Sequence, residues 1–232
     1  MTTHSFDKDY WEQHWEQAGG PAAPVAERGA PNPHLVREVA GLTPGTALDA
    51  GCGTGAEALW LAGQGWQVTA ADISAAALAR ARELAEGVER VTWVEADLTT
   101  WEPGNVFDLV VTNYAHPAIP QLAFYDRIAR WVAPGGTLLI VGHLHDAGGQ
   151  AHGGGHGYHE AHGGGHGEAH GEREAPHGEE PPAEATVTLA NITALLDPGV
   201  WRIDTAEEQT RERPGGQGLP LHDVIVRAGR LG

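Results

Sequence analysis

Leu48-Asp49-Ala50-Gly51-Cys52-Gly53-Thr54-Gly55 is the stretch whose reading decides the fold. An apolar run, TALDAGC (46–52), breaks into alternating glycines, and a helical stretch, AEALWLAGQG (56–65), follows at once. A short apolar run of this kind reads as a buried parallel strand. Glycine lets the backbone turn sharply and lets a ligand approach the main chain. The helix behind the turn opens with N–H groups that have no partner inside the helix.

The same alternation continues outward from this corner. QVTAADI (67–73), RVTWVEADL (90–98), FDLVVTNY (107–114) and TLLIVGHL (137–144) read as strands two to five. Ser74 is a suitable N-cap for a helix over 75–87. Residues 118–132 read as the next helix, stopped by APGG (133–136), and 185–197 as another. Strands alternating with helices predict a Rossmann-like α/β fold, a doubly wound, mostly parallel sheet with helices on both faces. WRIDTAEEQTRE (201–212) and LHDVIVRAG (221–229) have no helix between them, only RPGGQGLP. A short Gly/Pro connector joins antiparallel neighbours, so the sheet is expected to end in an antiparallel pair.

Ahead of the corner, 7–19 reads as a short helix on which Tyr10, Trp11 and Trp15 can share a face. A Pro/Ala/Gly loop and a helix through HLVREVAGL (34–42) follow. Residues 1–33 are therefore read as an N-terminal helical cap on a single domain spanning 1–232. Residues 145–184 contain the ten-residue repeat AHGGGHGYHE/AHGGGHGEAH and no apolar periodicity. They read as a His/Gly-rich flexible insertion that buries no core. Imidazole suits Ni and Zn, and the spacings His152-x3-His156 and His162-x3-His166 allow chelation there.

Composition excludes several classes. The 232 residues carry 14 Lys and Arg against 31 Asp and Glu, a formal charge of −17. That balance and the lack of any basic run argue against nucleic acid as a partner. No apolar stretch approaches the ~20 residues of a membrane span. One cysteine rules out an intrachain disulfide, and a soluble cytoplasmic protein is expected. The sequence assigns no oligomeric state.

Three carboxylates refine the reading of the corner. Gly51-x-Gly53-x-x-Ala56 also fits the nicotinamide and flavin fingerprint, so an oxidoreductase is a rival reading. Asp72, ending strand two, can accept both hydroxyls of a ribose under either reading, or simply cap a turn. Asp97, ending strand three, can accept from an adenine amino group. Asp49 puts a negative charge beside the glycine turn, which would repel a pyrophosphate but suit a ligand bearing an ammonium and a sulfonium.

At these residues the chain resembles the class I S-adenosylmethionine-dependent methyltransferases. DAGCGTG looks like their first motif, AADIS their second, VEADL their third and FDLVVTNY their fourth. APGGTLLIV looks like their turn into strand five. The resemblance implies a seven-stranded sheet of order 3-2-1-4-5-7-6 with strand seven antiparallel. It places Asp49, Gly51, Cys52, Gly53 and Gly55 at the methionine end of the cofactor. Asp72 and Ile73 fall at the ribose and adenine, Asp97 and Leu98 at the adenine, and Asn113 at the start of the methyl-transfer face. Cys52 itself reads as a small buried residue rather than a nucleophile.

A finer resemblance, to the thiopurine and tellurite-resistance methyltransferases, rests on DYWEQHWEQAG and EALWLAGQGWQVTAADIS. It implies an aromatic N-terminal helix over the active site, with Trp11 and Trp15 either lidding the substrate or packing on the sheet. It also implies a small-molecule acceptor with a soft S, Se or Te nucleophile. His116 and Tyr114, after strand four, are the candidate catalytic residues, with His143 after strand five as a rival. Ligands of open α/β sheets sit at such strand ends, and a neutral imidazole there can take a proton or orient the acceptor. A non-catalytic metal-binding protein of the same fold is the remaining alternative.

Overall fold

The computed structural model describes residues 6–18, 29–144, 187–211 and 221–232. Its centre is a seven-stranded sheet of order β3-β2-β1-β4-β5-β7-β6. The strands are β1 (Thr46–Ala50), β2 (Gln67–Asp72), β3 (Val91–Glu95), β4 (Phe107–Asn113), β5 (Val132–His143), β6 (Trp201–Arg211) and β7 (Leu221–Arg230). The first five pair in parallel, and β7 runs antiparallel to both β5 and β6. Both the expected order and the antiparallel end of the sheet are present. Residues 145–186 and 212–220 lie outside the described residues, and with them the insertion, His152, His156, His162, His166 and the Gly/Pro connector.

The helices are α1 (Lys8–Ala18), α2 (Pro33–Val39), α3 (Ala56–Gly63), α4 (Ala75–Leu84), α5 (Gln121–Ala129) and α6 (Leu189–Leu195). Alternate residues of the central strands serve opposite faces. Leu48, Val110, Leu138, Ile140, Val224 and Val226 pack with Phe124 and Ile128 of α5 and Ile192 of α6. Ala47, Val68, Ala70, Leu109, Val111, Leu139 and Ile225 pack with Leu35 of α2, Ala58 and Leu61 of α3 and Leu78 of α4. β1, β4, β5 and β7 are apolar on both faces, as strands covered on both sides require.

Several boundaries differ from the sequence expectation. The helix expected over 118–132 starts after Pro120 and ends at Ala129. Val132 instead pairs with Phe107, so β5 begins before Pro134-Gly135-Gly136, and the pairing with β4 shifts register at that point. The Pro-Gly-Gly run is an irregularity within the strand. The helix expected over 185–197 is the shorter α6, opened by a capping box between Thr188 and Asn191.

Among the described residues, the sheet has two unpaired margins. β6 exposes Arg202, Asp204, Glu207, Glu208 and Thr210, and β3 exposes Thr92 and Glu95. No described helix is long and apolar enough to cross a membrane.

Candidate functional site

The glycine turn joins β1 to α3 at the C-terminal end of the sheet, where the strand order reverses between β1 and β4. Gly51 has φ +85, and a Cβ there would sit 2.5 Å from Ala115 Cβ. Gly55, at φ +82, is the N-cap of α3, and a side chain there would overlap the Trp93 ring. Glycine is thus required at both positions by backbone conformation and by space.

Three acids surround the turn. Asp49 is 1% exposed, and its Oδ2 has no hydrogen-bond partner. Burial, then the charges of Glu57 and Asp72, push its carboxyl well above the ordinary range. Burial likewise raises Glu57, whose Oε1 accepts from the Asn32 N–H at 3.1 Å. Asp72 is also raised by burial, against the backbone N–H groups that favour its charged form. No cation among the described residues contributes to any of the three. Burial and the charge of Asp49 push the Cys52 thiol up as well, which suits a buried packing residue and not a thiolate nucleophile.

Asp72 Oδ2 accepts from the Gly53 N–H at 2.8 Å, and Oδ1 from the Ser74 N–H at 2.9 Å. The carboxylate thereby pins the glycine turn to the start of α4, so it does cap a turn. Each oxygen keeps a further lone pair with which it could accept from a ribose. Half-buried Ile73 follows it. Asp97 is exposed, and its Oδ1 accepts from the Thr99 N–H at 2.9 Å and Thr99 Oγ1 at 2.6 Å. Leu98 beside it is buried. At the end of β4, Asn113 has a buried side-chain amide with neither Oδ1 nor Nδ2 hydrogen bonded.

Tyr114 is the one non-glycine residue at positive φ among those described, at φ 54. Its ring stacks on His143, with centroids 4.2 Å apart and planes at 16°. The His116 ring lies 6.4 Å from that of His143 and 5.7 Å from that of Phe6. All three expected acceptor-side residues therefore gather at the ends of β4 and β5.

α1 lies across this region. Trp11 Nε1 donates to the His116 carbonyl at 3.1 Å, and a Cβ on Gly53 would lie 3.1 Å from the Trp15 ring. Phe6, Tyr10, Trp11, His14 and Trp15 form a run of ring contacts above the turn. Glu12, which the sequence reading did not single out, reaches the N-terminus of α4. Asp223, also missed, is fully buried between His34 and His143. An acid inside the apolar run of β7 was the available signal, since Asp is depleted in strands. Among the described residues, no group of three His, Cys, Asp or Glu could hold a metal ion.

The methyltransferase domain family matches residues 47–136. A probable thiol methyltransferase of Arabidopsis thaliana is 31% identical over 142 residues, 56% of this chain and 60% of that protein. A trans-aconitate 2-methyltransferase of Streptomyces avermitilis is 33% identical over 137 residues, 55% of this chain and 48% of that protein. The chain thus spans about half to three fifths of the length of these curated relatives. A solved structure described for the conversion of a disulfide bond into a thioacetal group in echinomycin biosynthesis superimposes with a TM-score of 0.62. It is 23% identical and covers 97% of this chain and 92% of that one. This last likeness is one of fold.

Proposed function

Residues 47–136 match the methyltransferase domain family, and from that premise we propose that the protein transfers a methyl group from S-adenosylmethionine to a small-molecule acceptor. The acceptor in this proposal attacks through a soft nucleophile, of which sulfur is the simplest case. The similarity to a thiol methyltransferase supports that class, and the similarity to a trans-aconitate methyltransferase names the competing carboxylate class.

The observation that carries the cofactor reading is Asp49. A buried carboxylate with an unpartnered oxygen, beside buried Asp72 and half-buried Glu57, is a costly arrangement without a cation. S-adenosylmethionine brings an ammonium and a sulfonium, and it supplies the methyl group on that sulfonium. The nicotinamide reading requires a pyrophosphate at the same turn, where three carboxylates would repel it. The glycine turn lets the methionine portion approach the backbone. Asp72, Ile73, Asp97 and Leu98 are assigned to the ribose and adenine. Asn113 offers an unpaired amide at the methyl-transfer face.

On the acceptor side, Tyr114 and His116 are assigned to binding and orienting the nucleophile. Alignment of two reactants accounts for most of the rate that such a displacement needs. Helix α1, lying over the turn, excludes water, which strengthens the electrostatic contacts beneath it.

Calorimetry with S-adenosylhomocysteine and with NAD tests the reading. The first is expected to bind and the second not. S-adenosylhomocysteine at ~100 times its dissociation constant adds about 2.7 kcal/mol of stability. Asp72→Asn keeps an acceptor for the turn yet removes the charge, and is expected to lose most of that gain. Equal binding of NAD, or full binding by Asp72→Asn, would refute the assignment. A methyl-transfer screen over thiol, selenite, tellurite, phenol, amine and carboxylate acceptors identifies the nucleophile.

A further inference from the structure

Beside the cofactor corner, a second cluster of titratable groups closes the end of β5. Asp223 on β7 stands opposite His143 on β5 in the antiparallel register. It is 0% exposed, with Oδ1 3.4 Å from His143 Nδ1 and Oδ2 3.3 Å from His34 Nε2. One buried carboxylate is therefore shared by two imidazoles. His34, in the first turn of α2, is closed in, with 8% of its side chain exposed. His143 keeps 19% exposed and stacks on Tyr114, at the strand ends where the acceptor must lie.

We propose that His143 takes the acceptor's proton during methyl transfer, with the buried Asp223 as the residue that positions it. This rests on the methyltransferase reading above and deepens it, because it assigns the site to acceptors that still carry a proton at neutral pH, foremost thiols.

The chemistry follows from the carboxylate. A buried anion needs donors, and a carboxylate only accepts. The imidazole nitrogens that face it, His34 Nε2 and His143 Nδ1, therefore carry hydrogen. That leaves the lone pair of His143 on Nε2, across the ring from Asp223. The His143 Nδ1 contact is an electrostatic one and not an aligned hydrogen bond, as catalytic contacts often are before substrate binds. In the transfer, a lone pair on the acceptor heteroatom forms the new bond to the methyl carbon. The carbon–sulfur bond of the sulfonium breaks, and its electron pair stays on sulfur. The acceptor's hydrogen passes as a proton to His143 Nε2, and Asp223 balances the imidazolium. Tyr114, held at φ 54 with its ring against His143, fixes the plane of the imidazole. The titratable groups that face His143 are Asp223 from β7, with His34 of α2 behind it, and Tyr114 and His116 from the segment after β4.

The test compares two probes in the full chain. 2-Mercaptoethanol is a thiol whose proton must leave, since thiols titrate near ~8.5, and thiocyanate is an anion with no proton to lose. His143→Gln and Asp223→Asn are expected to lower kcat for the thiol by about 10²–10⁴-fold, the range of general-base catalysis. For thiocyanate the loss should stay under about tenfold on the same scale. Residues acting as one unit are non-additive, so the double variant should fall no further than about threefold below the worse single one. Binding of S-adenosylhomocysteine should persist in all variants. Nitrogen-15 spectra of the histidine rings should show His143 as the Nδ1–H tautomer, with Nε2–H appearing in Asp223→Asn.

Equal losses for the two probes, multiplicative losses in the double variant, or an Nε2–H tautomer in the parent would each overturn the assignment. If Asp223→Asn does not fold, His143→Gln and the split between the probes decide. A parent that binds S-adenosylhomocysteine but methylates neither probe overturns the base role while leaving the cofactor reading standing. A parent that does not bind S-adenosylhomocysteine refutes the methyltransferase reading itself.

Discussion

Glu12 on α1 reaches across to α4, where its carboxylate accepts from Ser74 Oγ at 2.7 Å and from the Ala76 N–H at 3.2 Å. Ser74 Oγ in turn accepts from the Ala77 N–H at 3.1 Å, so two residues share the capping of one helix. An acid at a helix N-terminus also interacts favourably with the helix dipole. Lys8, one turn earlier, donates to Glu95 at 2.5 Å at the end of β3. The aromatic face of α1 is thereby held over the glycine turn by contacts at its polar side.

Glu12→Ala is expected to release that hold. Two hydrogen bonds are lost, one of them at a helix cap, and about 1–2 kcal/mol of stability should go with them. For a chain of this size each kcal/mol moves the melting temperature by roughly 2–4 °C. The emission of Trp11 and Trp15 should shift to the red as their rings meet water. A melting curve and an emission spectrum that match the parent would show that α1 is anchored elsewhere.

Gly55→Ala should be among the most damaging single changes in the chain. The residue sits at φ +82, and the added methyl would collide with the Trp93 ring. Backbone strain of about 1–3 kcal/mol adds to overpacking of about 1–3 kcal/mol. Gly87→Ala provides the contrast: it has φ +80 but nothing within 4 Å of the new Cβ. Denaturant titration should find the Gly55 variant the less stable of the two, and the reverse order would contradict the packing described here.

Asp49→Asn should move two measurements in opposite directions. Burial and two neighbouring acids raise the folded-state titration of Asp49 above its unfolded value of 3.8. An acid raised in this way binds more protons folded than unfolded, so its ionisation costs stability as pH rises through the interval above 3.8, and the cost is complete above the folded value. At neutral pH the amide removes that cost, and the variant without ligand should melt higher. The same change removes a charge facing the ligand's cation, so stabilisation by S-adenosylhomocysteine should shrink. Thermal scans with and without ligand check both signs. A variant that melts lower without ligand would show that the Asp49 charge is already neutralised in the parent.

The sheet was legible because its strands are covered on both faces. Residues such as Leu48, Val110 and Ile140 have to be apolar wherever they point, and that leaves unbroken runs in the sequence. The glycine corner was legible because positive φ at Gly51, Gly53 and Gly55 admits few other residues. The carboxylates at strand ends were legible from position alone, although the turn-pinning bonds of Asp72 were only one of two roles expected for it. The start of β5 was not. Pro134-Gly135-Gly136 carries the local signature of a helix stop, while the pairing of Val132 with Phe107 is a contact across 25 residues. Glu12, Asp223 and the Trp11 contact to His116 escaped for the same reason. Each is defined by a partner 62 to 189 positions away, and of the three only Asp223, an acid inside an apolar run, is marked by its neighbours.

The unpaired margins of the sheet bear on how copies of the protein meet. An uncovered strand offers a ladder of N–H and C=O groups to any strand of another chain, and natural sheets guard such margins with charge. Here β6 presents Arg202, Asp204, Glu207 and Glu208, and β3 ends at Glu95, which is paired with Lys8. Two copies approaching margin to margin would have to desolvate these charged side chains, on a chain already at −17. Crowding the protein at neutral pH and low salt should therefore leave it dispersed. Acidification or concentrated salt, which mute those charges, should be the conditions under which strand-to-strand aggregation begins.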